Sequence, residues 1–570
     1  GAVVLVILPA LMVLALLAFA RLLPDPGSRV VGIPEGELRQ HLWVAWMVSE
    51  SLLGGQLPLH TTLAGFPGGI TLFPLDPALQ VLVALLRPGL EIVGAFNAAT
   101  FAAFVLLLYG AQKVASSLGA SAGGEGVAAL LVGTAPPLLG AWVDTVTEAM
   151  GAGWWLLLAA ELLSPTPRPL RVWVYSAGLL LSGPYLPHAT APFFAVLALR
   201  RRLGWKVIVG TLAVAAAVGA GLYLAEGGSD GILGERSRMA PGDYPPRSAP
   251  LGTLAPPPLP DVGVVRHLAH YLPGPEIGPR RWVPWSLVAL AALALRDATA
   301  RWLGLAAGAY AALALGSVQG AAWGPFGPGT PTPMDLFYRY YPGGHLAWKP
   351  AQYAVPAYLL LVAAAARAPG RWWVALGLAS VLECQLRGPT PLPLPASSLQ
   401  PWSAWKALAE GAPTSGVVEF PCRDRWLSSD VPPLGDSLLG PIWHGRPLGD
   451  TLERAPAHGA LPLLLALEAV AREGAAADGG AAGPGSLPPR PGPRGAVPRR
   501  GAPPLSLEAG AAQAAEAGFT ALLVIGRSLD PSQLDAVEAA LLRHGFDPAR
   551  RDAEGVIHVD LAPNGALTPG

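Results

Sequence analysis

Residues 2–20 read AVVLVILPALMVLALLAFA, and the run stops at Arg21. About 20 mostly apolar residues cross the ~30 Å hydrocarbon of a bilayer, so this stretch predicts a membrane span. A signal peptide would put basic residues ahead of a shorter apolar core. This run is long for one and has no basic residues before it. Similar runs recur at 92–112, 126–143, 146–163, 171–183, 189–200, 206–225, 282–296, 300–318, 352–367 and 371–384. The expectation is a mainly α, polytopic membrane bundle of about eleven spans. The apolar stretch 78–86 better suits a re-entrant or interfacial helix.

Composition agrees. Of 570 residues 52% are hydrophobic and only 13% charged, about half the usual charged share. The mean hydropathy of +0.43 averages two unlike regions that meet near residue 384. Lys plus Arg number 38, as do Asp plus Glu. No net field draws in nucleic acid. The two cysteines, Cys384 and Cys422, exclude a disulfide scaffold and any CxxC site but leave room for one disulfide. Abundant Ala, Gly, Pro and Arg suits a GC-rich bacterial genome.

Basic residues in short loops set orientation. Lys113, then Arg168 and Arg171, then Arg200, Arg201, Arg202 and Lys206, then Arg296 and Arg301, then Arg367 and Arg371 all fall in turns on one side. That side is assigned to the cytoplasm of a bacterial inner membrane. The turn 182–188 falls on the other side, as do loops 22–77, 227–281 and 319–351. Trp154, Trp155, Trp282 and Trp285 suit interfacial anchors. The membrane domain covers 1–384. An extracytoplasmic α/β domain covers 385–570, with strands at 417–421 (VVEFP), 520–526 (TALLVIG) and 556–561, a helix at 531–544, and a low-complexity linker at 472–505.

Three places could carry chemistry. The first outer loop opens with Pro34, Glu35, Gly36 and Glu37, and Leu38–Leu53 reads as a helix with Leu38, Leu42, Ala45, Trp46, Ser49 and Leu53 on one face. With Trp43 and Trp46 it would lie in the membrane interface. Glu35 and Glu37 would then stand at the water–lipid boundary, able to take a proton from a hydroxyl. Capping the helix, whose first turn favours acids, fits them equally. Asp144 and Glu148 follow at the outer junction of two spans, where a carboxylate calls for a polar cavity or open water. The stretch 334–353, MDLFYRYYPGGHLAWKPAQY, sets Arg339, His345 and Lys349 among aromatics. Such cations can hold a phosphate; the same loop also suits a headgroup anchor. His188 in SGPYLPH reads as structural. No GxxxxGK[ST] or HExxH occurs. No cofactor is specified, and a single divalent cation near the carboxylates remains open.

The stretch 36–69, GELRQHLWVAWMVSESLLGGQLPLHTTLAGFPGG, resembles the first outer loop of the GT-C superfamily of membrane glycosyltransferases. The late loop ending in HLAWKPAQY and the tail pieces VVEFP and WHGRPLGD (443–450) resemble its poorly characterised bacterial members. The resemblance implies transfer of a sugar from a polyprenyl-phosphate donor to an extracytoplasmic acceptor, with a first-loop carboxylate as base. Members typically carry Asp there, and this sequence offers Glu35 and Glu37. In this picture Arg339, His345 and Lys349 bind the donor phosphate, while Asp144 and Glu148 orient the acceptor or a cation. The alternative is a non-catalytic membrane protein, either a transporter or an assembly factor for envelope polysaccharide. The sequence shows no internal repeat of the kind transporters carry.

Overall fold

The computed structural model describes residues 2–32, 38–58, 60–61, 70–71, 76–183, 185–225, 283–314, 333–341, 353–368, 370–387, 392–399, 416–420, 463–464, 466–467, 469–471, 506–517, 519–525, 531–546 and 556–561. The fold is mostly helical. It divides into two compact units: Gly1–Leu38 with Phe73–Ser398, and Arg39–Leu72 with Leu399–Gly570.

The first unit holds α1 (Ala2–Ala18), followed by α3 (Pro77–Leu86), α4 (Ile92–Ser117), α5 (Ala122–Gly133), α6 (Pro136–Asp144), α7 (Thr147–Met150), α8 (Ala152–Leu163), α9 (Pro169–Leu181), α10 (Tyr185–Arg200) and α11 (Trp205–Ala225). It continues with α12 (Trp285–Ala294), α13 (Ala298–Ala314), α14 (Pro333–Tyr340), α15 (Ala354–Ala365) and α16 (Gly370–Arg387). Among the described residues α4 is long and apolar enough to cross a membrane. So is the pair α5–α6 if taken as one span, bent by 46°. Pro136 and Pro137 force that bend, since neither can donate a helical hydrogen bond. The expected single run 126–143 is therefore two helices. Most other apolar helices are 10–17 residues long.

Small residues let the helices approach closely, as membrane bundles require. A Cβ on Gly110 of α4 would stand 2.9 Å from the carbonyl oxygen of Gly153 on α8, and one on Gly153 would stand 2.9 Å from the backbone of Leu106 and Leu107. Trp155 is buried and stacked on Phe193 at 5.6 Å. It is a core residue rather than the interfacial anchor expected. Cys384 is a buried free thiol on α16; Cys422 lies outside the described residues.

The basic turns gather at one end of this unit. Arg367 donates to the Leu118 carbonyl at 2.5 Å and to Asp297 at 2.8 Å. Ser117 Oγ donates to the Ala160 carbonyl at 3.0 Å. Arg201 donates to the carbonyls of Leu162, Leu163 and Ser164, and Glu161 accepts from the Arg168 amide at 2.6 Å with Arg171 beside it. Two of these arginines thus cap helix C-termini, where unpaired carbonyls and the helix dipole favour a cation. At the opposite end, Glu383 of α16 accepts from the Trp285 amide (3.1 Å), the Ser286 amide (3.3 Å) and the Ser286 hydroxyl (2.7 Å). It caps the start of α12.

The second unit contains α2 (Leu38–Leu53), of which all but Leu38 belongs here, and the two-residue strands β2 (His60–Thr61) and β3 (Ile70–Thr71), paired antiparallel. The helix has the expected bounds. From His41 to Ser49 it is buried almost all round, with Trp43 fully enclosed and only Trp46 partly exposed. An interfacial helix would keep one face open, so α2 is packed within protein instead. The tail forms a three-stranded sheet of β5 (Gly416–Phe420), β6 (Phe519–Ile525) and β7 (Val556–Asp560), in order β5-β6-β7. β5 runs parallel to β6, and β7 antiparallel to it. Helices α17 (Leu507–Glu516) and α18 (Pro531–Arg543) supply Leu507, Ala511, Val537 and Leu541 to one core with Phe519, Leu522, Ile557 and Leu463. Strands and helix fall where the sequence predicts them.

Candidate functional site

The loop after α1 is tethered before it reaches its acidic residues. After α1 the chain forms β1 (Arg29–Val31), which pairs antiparallel with β4 (Ala396–Ser398). The Leu394 amide also donates to the Ala18 carbonyl at 2.8 Å. Asn97 near the start of α4 donates its side-chain amide to the carbonyls of Pro26 (3.0 Å) and Arg29 (2.7 Å). Gly32 closes the strand pair: its amide donates to Pro395 at 3.0 Å, and its carbonyl accepts from Ser397 Oγ at 2.7 Å. Its φ is +126°, a backbone region that glycine alone enters freely.

A strained residue meets it. At the end of α6, Thr145 adopts a left-handed conformation, φ 56° and ψ 41°. Its amide donates to Trp142 at 3.2 Å, and the next amide, Val146, reaches back to Ala141 at 2.8 Å. This ordinarily glycine-bearing helix stop is here made by a β-branched residue, at a cost of about 1–3 kcal/mol. Thr145 is wholly buried, and its hydroxyl has no hydrogen-bond partner among the described residues. A Cβ on Gly32 would collide with that hydroxyl and stand 3.1 Å from the Val143 carbonyl oxygen. The missing side chain at 32 is what lets the first loop close on the α6–α7 junction.

The late loop is anchored at the same end. α10 begins at Tyr185, inside the segment 182–188 expected to be a turn, and runs through Pro192. A helical carbonyl accepts from the amide four residues later, and Pro192 has none to offer that of His188. Tyr341, just past α14, donates its hydroxyl to the His188 carbonyl at 3.0 Å. The neighbouring Ala189 carbonyl accepts from Tyr310 at 3.1 Å. Phe337 stacks on Tyr341 at 4.3 Å and meets Tyr353 edge-on at 5.7 Å, while the Tyr341 and His188 rings lie 4.9 Å apart. α7 packs against α10, which joins the acidic junction to this aromatic cluster. His188 joins this cluster through both its carbonyl and its ring.

Three of the residues expected to act stand in these segments. Asp144 ends α6, Glu148 lies in α7 and Arg339 in α14; for these three the description extends to the backbone. Glu35, Glu37, His345 and Lys349 lie outside the described residues. Among the described residues no three His, Cys, Asp or Glu gather as a metal site. Sequence reasoning missed Gly32 and the hydroxyl of Tyr341. The signal for the second was present, since Pro192 follows His188 by four.

A scan against protein-family models and a search of curated proteins found no match. Similar solved structures include the arabinofuranosyltransferase AftD from Mycobacteria, at 14% identity and a TM-score of 0.49 over 98% of this chain and 41% of that one. They also include ArnT from Cupriavidus metallidurans bound to undecaprenyl phosphate, at 13% identity and a TM-score of 0.41 over 99% of this chain and 98% of that one. The chain spans about two fifths of the arabinofuranosyltransferase. The first of these is by name a glycosyltransferase, the class the sequence resembles. At these values the likeness assigns no activity or residue role to this chain.

Proposed function

We propose that this chain is a membrane glycosyltransferase of the GT-C kind, moving a sugar from a polyprenyl-phosphate donor to an acceptor hydroxyl outside the cytoplasm. The observation that carries this reading is the contact of Gly32 with the α6–α7 junction. Glu35 follows Gly32 by three residues, and the reading takes a first-loop carboxylate to act near the segment bearing Asp144 and Glu148. The late loop with Arg339 is tied to the same end, opposite the basic turns.

The chemistry follows from those groups. Glu35 or Glu37 takes the proton of the acceptor hydroxyl as its oxygen attacks the anomeric carbon. The bond from that carbon to the phosphate oxygen breaks, and its electron pair leaves with the lipid phosphate. Arg339, His345 and Lys349 compensate the charge gathering on that phosphate. Asp144 and Glu148 orient the acceptor. The same two carboxylates could instead orient a hard divalent cation, which when bound would offset charge on the acceptor oxygen.

The helix directions support a membrane setting. Taking α1, α4, the pair α5–α6, α8 to α13, α15 and α16 as passes gives eleven. With the basic turns inside, an odd count leaves the tail and the acidic segments outside a bacterial inner membrane. The named activity of the arabinofuranosyltransferase and the undecaprenyl phosphate bound to ArnT are of the same chemistry, at TM-scores too low to bear weight.

The test is turnover and binding by the purified full chain in lipid, across a panel of polyprenyl-phosphate sugars. Release or transfer of sugar supports the reading. Neither turnover nor binding of any donor favours the non-catalytic alternative.

A further inference from the structure

We propose that Tyr341 is a positioning residue for the donor phosphate, its hydroxyl on the His188 carbonyl fixing the short helix that carries Arg339, a role that rests on the glycosyltransferase reading above. α14 has eight residues, too few to hold a helix on its own in water. Its stability must come from what it docks on. The described anchors are the buried Met334, packing against α13, Phe337 against Tyr353 and His188, and the Tyr341 hydroxyl. The His188 carbonyl can accept that hydroxyl because Pro192 has no amide to offer it. Burial also raises the Tyr341 pKa, so the phenol keeps its proton and stays a donor.

Arg339 lies two residues before Tyr341 on this helix. A guanidinium meets a phosphate best as a planar fork with two parallel hydrogen bonds. That geometry requires a fixed backbone beneath it. The hydrogen bond from Tyr341, at the same end of the helix as Arg339, to a proline-broken neighbour adds a directional tie there, and it joins the phosphate-binding loop to the helix packed against α7.

The experiment compares wild type, Tyr341→Phe, Pro192→Ala, the double variant and Arg339→Ala, all as full chains in lipid nanodiscs with melting temperatures measured. The probes are undecaprenyl phosphate and undecaprenol, with amide hydrogen exchange over residues 333–341. Tyr341→Phe keeps the ring stack and removes only the hydroxyl. Its exchange over 333–341 should speed up, and its binding of undecaprenyl phosphate should weaken about five-fold, the factor for one net hydrogen bond. Binding of undecaprenol should not change. Pro192→Ala supplies the carbonyl with an in-helix amide, so Tyr341→Phe should add little in that background. Unchanged exchange in Tyr341→Phe overturns the latch. Faster exchange with unchanged phosphate binding, while Arg339→Ala loses it, overturns the positioning role and leaves the enzyme reading standing. Failure of wild type to bind undecaprenyl phosphate removes that reading, and this role with it.

Discussion

Gly32 and Thr145 pack so closely that no side chain fits between them. Both hold positive φ angles, +126° and +56°. The strain therefore sits where the first loop touches the acidic junction. Gly32→Ala should cost roughly 1–3 kcal/mol and lower turnover at least ten-fold, with undecaprenyl phosphate binding retained. Thermal unfolding in lipid and single-turnover assays check it. A variant as stable and active as wild type would show that the contact can yield freely.

Thr145→Gly should act in the opposite sense on stability. Glycine adopts φ +56° without penalty, and the change removes a buried hydroxyl with no described partner. A gain of roughly 1 kcal/mol is expected, together with lower turnover, because strain retained at a site commonly serves function. A lower melting temperature would mean that the hydroxyl has a structural partner after all.

Glu383 receives three donors at the start of α12. Glu383→Leu leaves them unpaired and should destabilise by about 1–3 kcal/mol. Glu383→Gln, which keeps one acceptor oxygen, should lose less. Equal loss in both variants would contradict a capping role.

Asp297 accepts a hydrogen bond from Arg367, which with the Thr299 and Ala300 amides holds its carboxyl below the usual range. A lowered folded pKa means the stabilisation is present above the unfolded value, near pH 4. It is lost as pH falls through the folded value. Asp297→Asn should therefore be less stable than wild type at neutral pH, and the gap should close in acid. A gap independent of pH would assign the effect to packing.

Much of the architecture was legible because it rests on local pattern. Apolar runs marked the helices, a short unbroken apolar run marked β6, and the basic turns marked the end where Arg201 and Arg367 cap their neighbours. What escaped depends on pairs distant in sequence. β1 joins β4 across some 365 residues, and nothing near Val30 announces Ser397. The left-handed turn at Thr145 escaped because threonine disfavours it; the signal there was Gly32, far away. The bend at Pro136 and the amide that Pro192 withholds from His188 were legible in principle, since proline's missing amide is a local fact. α2 was placed well along the chain and wrongly in space, because Trp43 and Trp46 suit a membrane interface and a protein core alike.

The most direct test sets wild type against a Glu35→Gln/Glu37→Gln double variant in sugar transfer from a polyprenyl-phosphate donor, with undecaprenyl phosphate binding measured in parallel. Loss of the base should lower turnover by a factor of about 100 or more and leave binding intact. A double variant that turns over as fast as wild type would contradict the assignment of the first-loop carboxylates, and with it the catalytic role of the junction that Gly32 and Thr145 hold together.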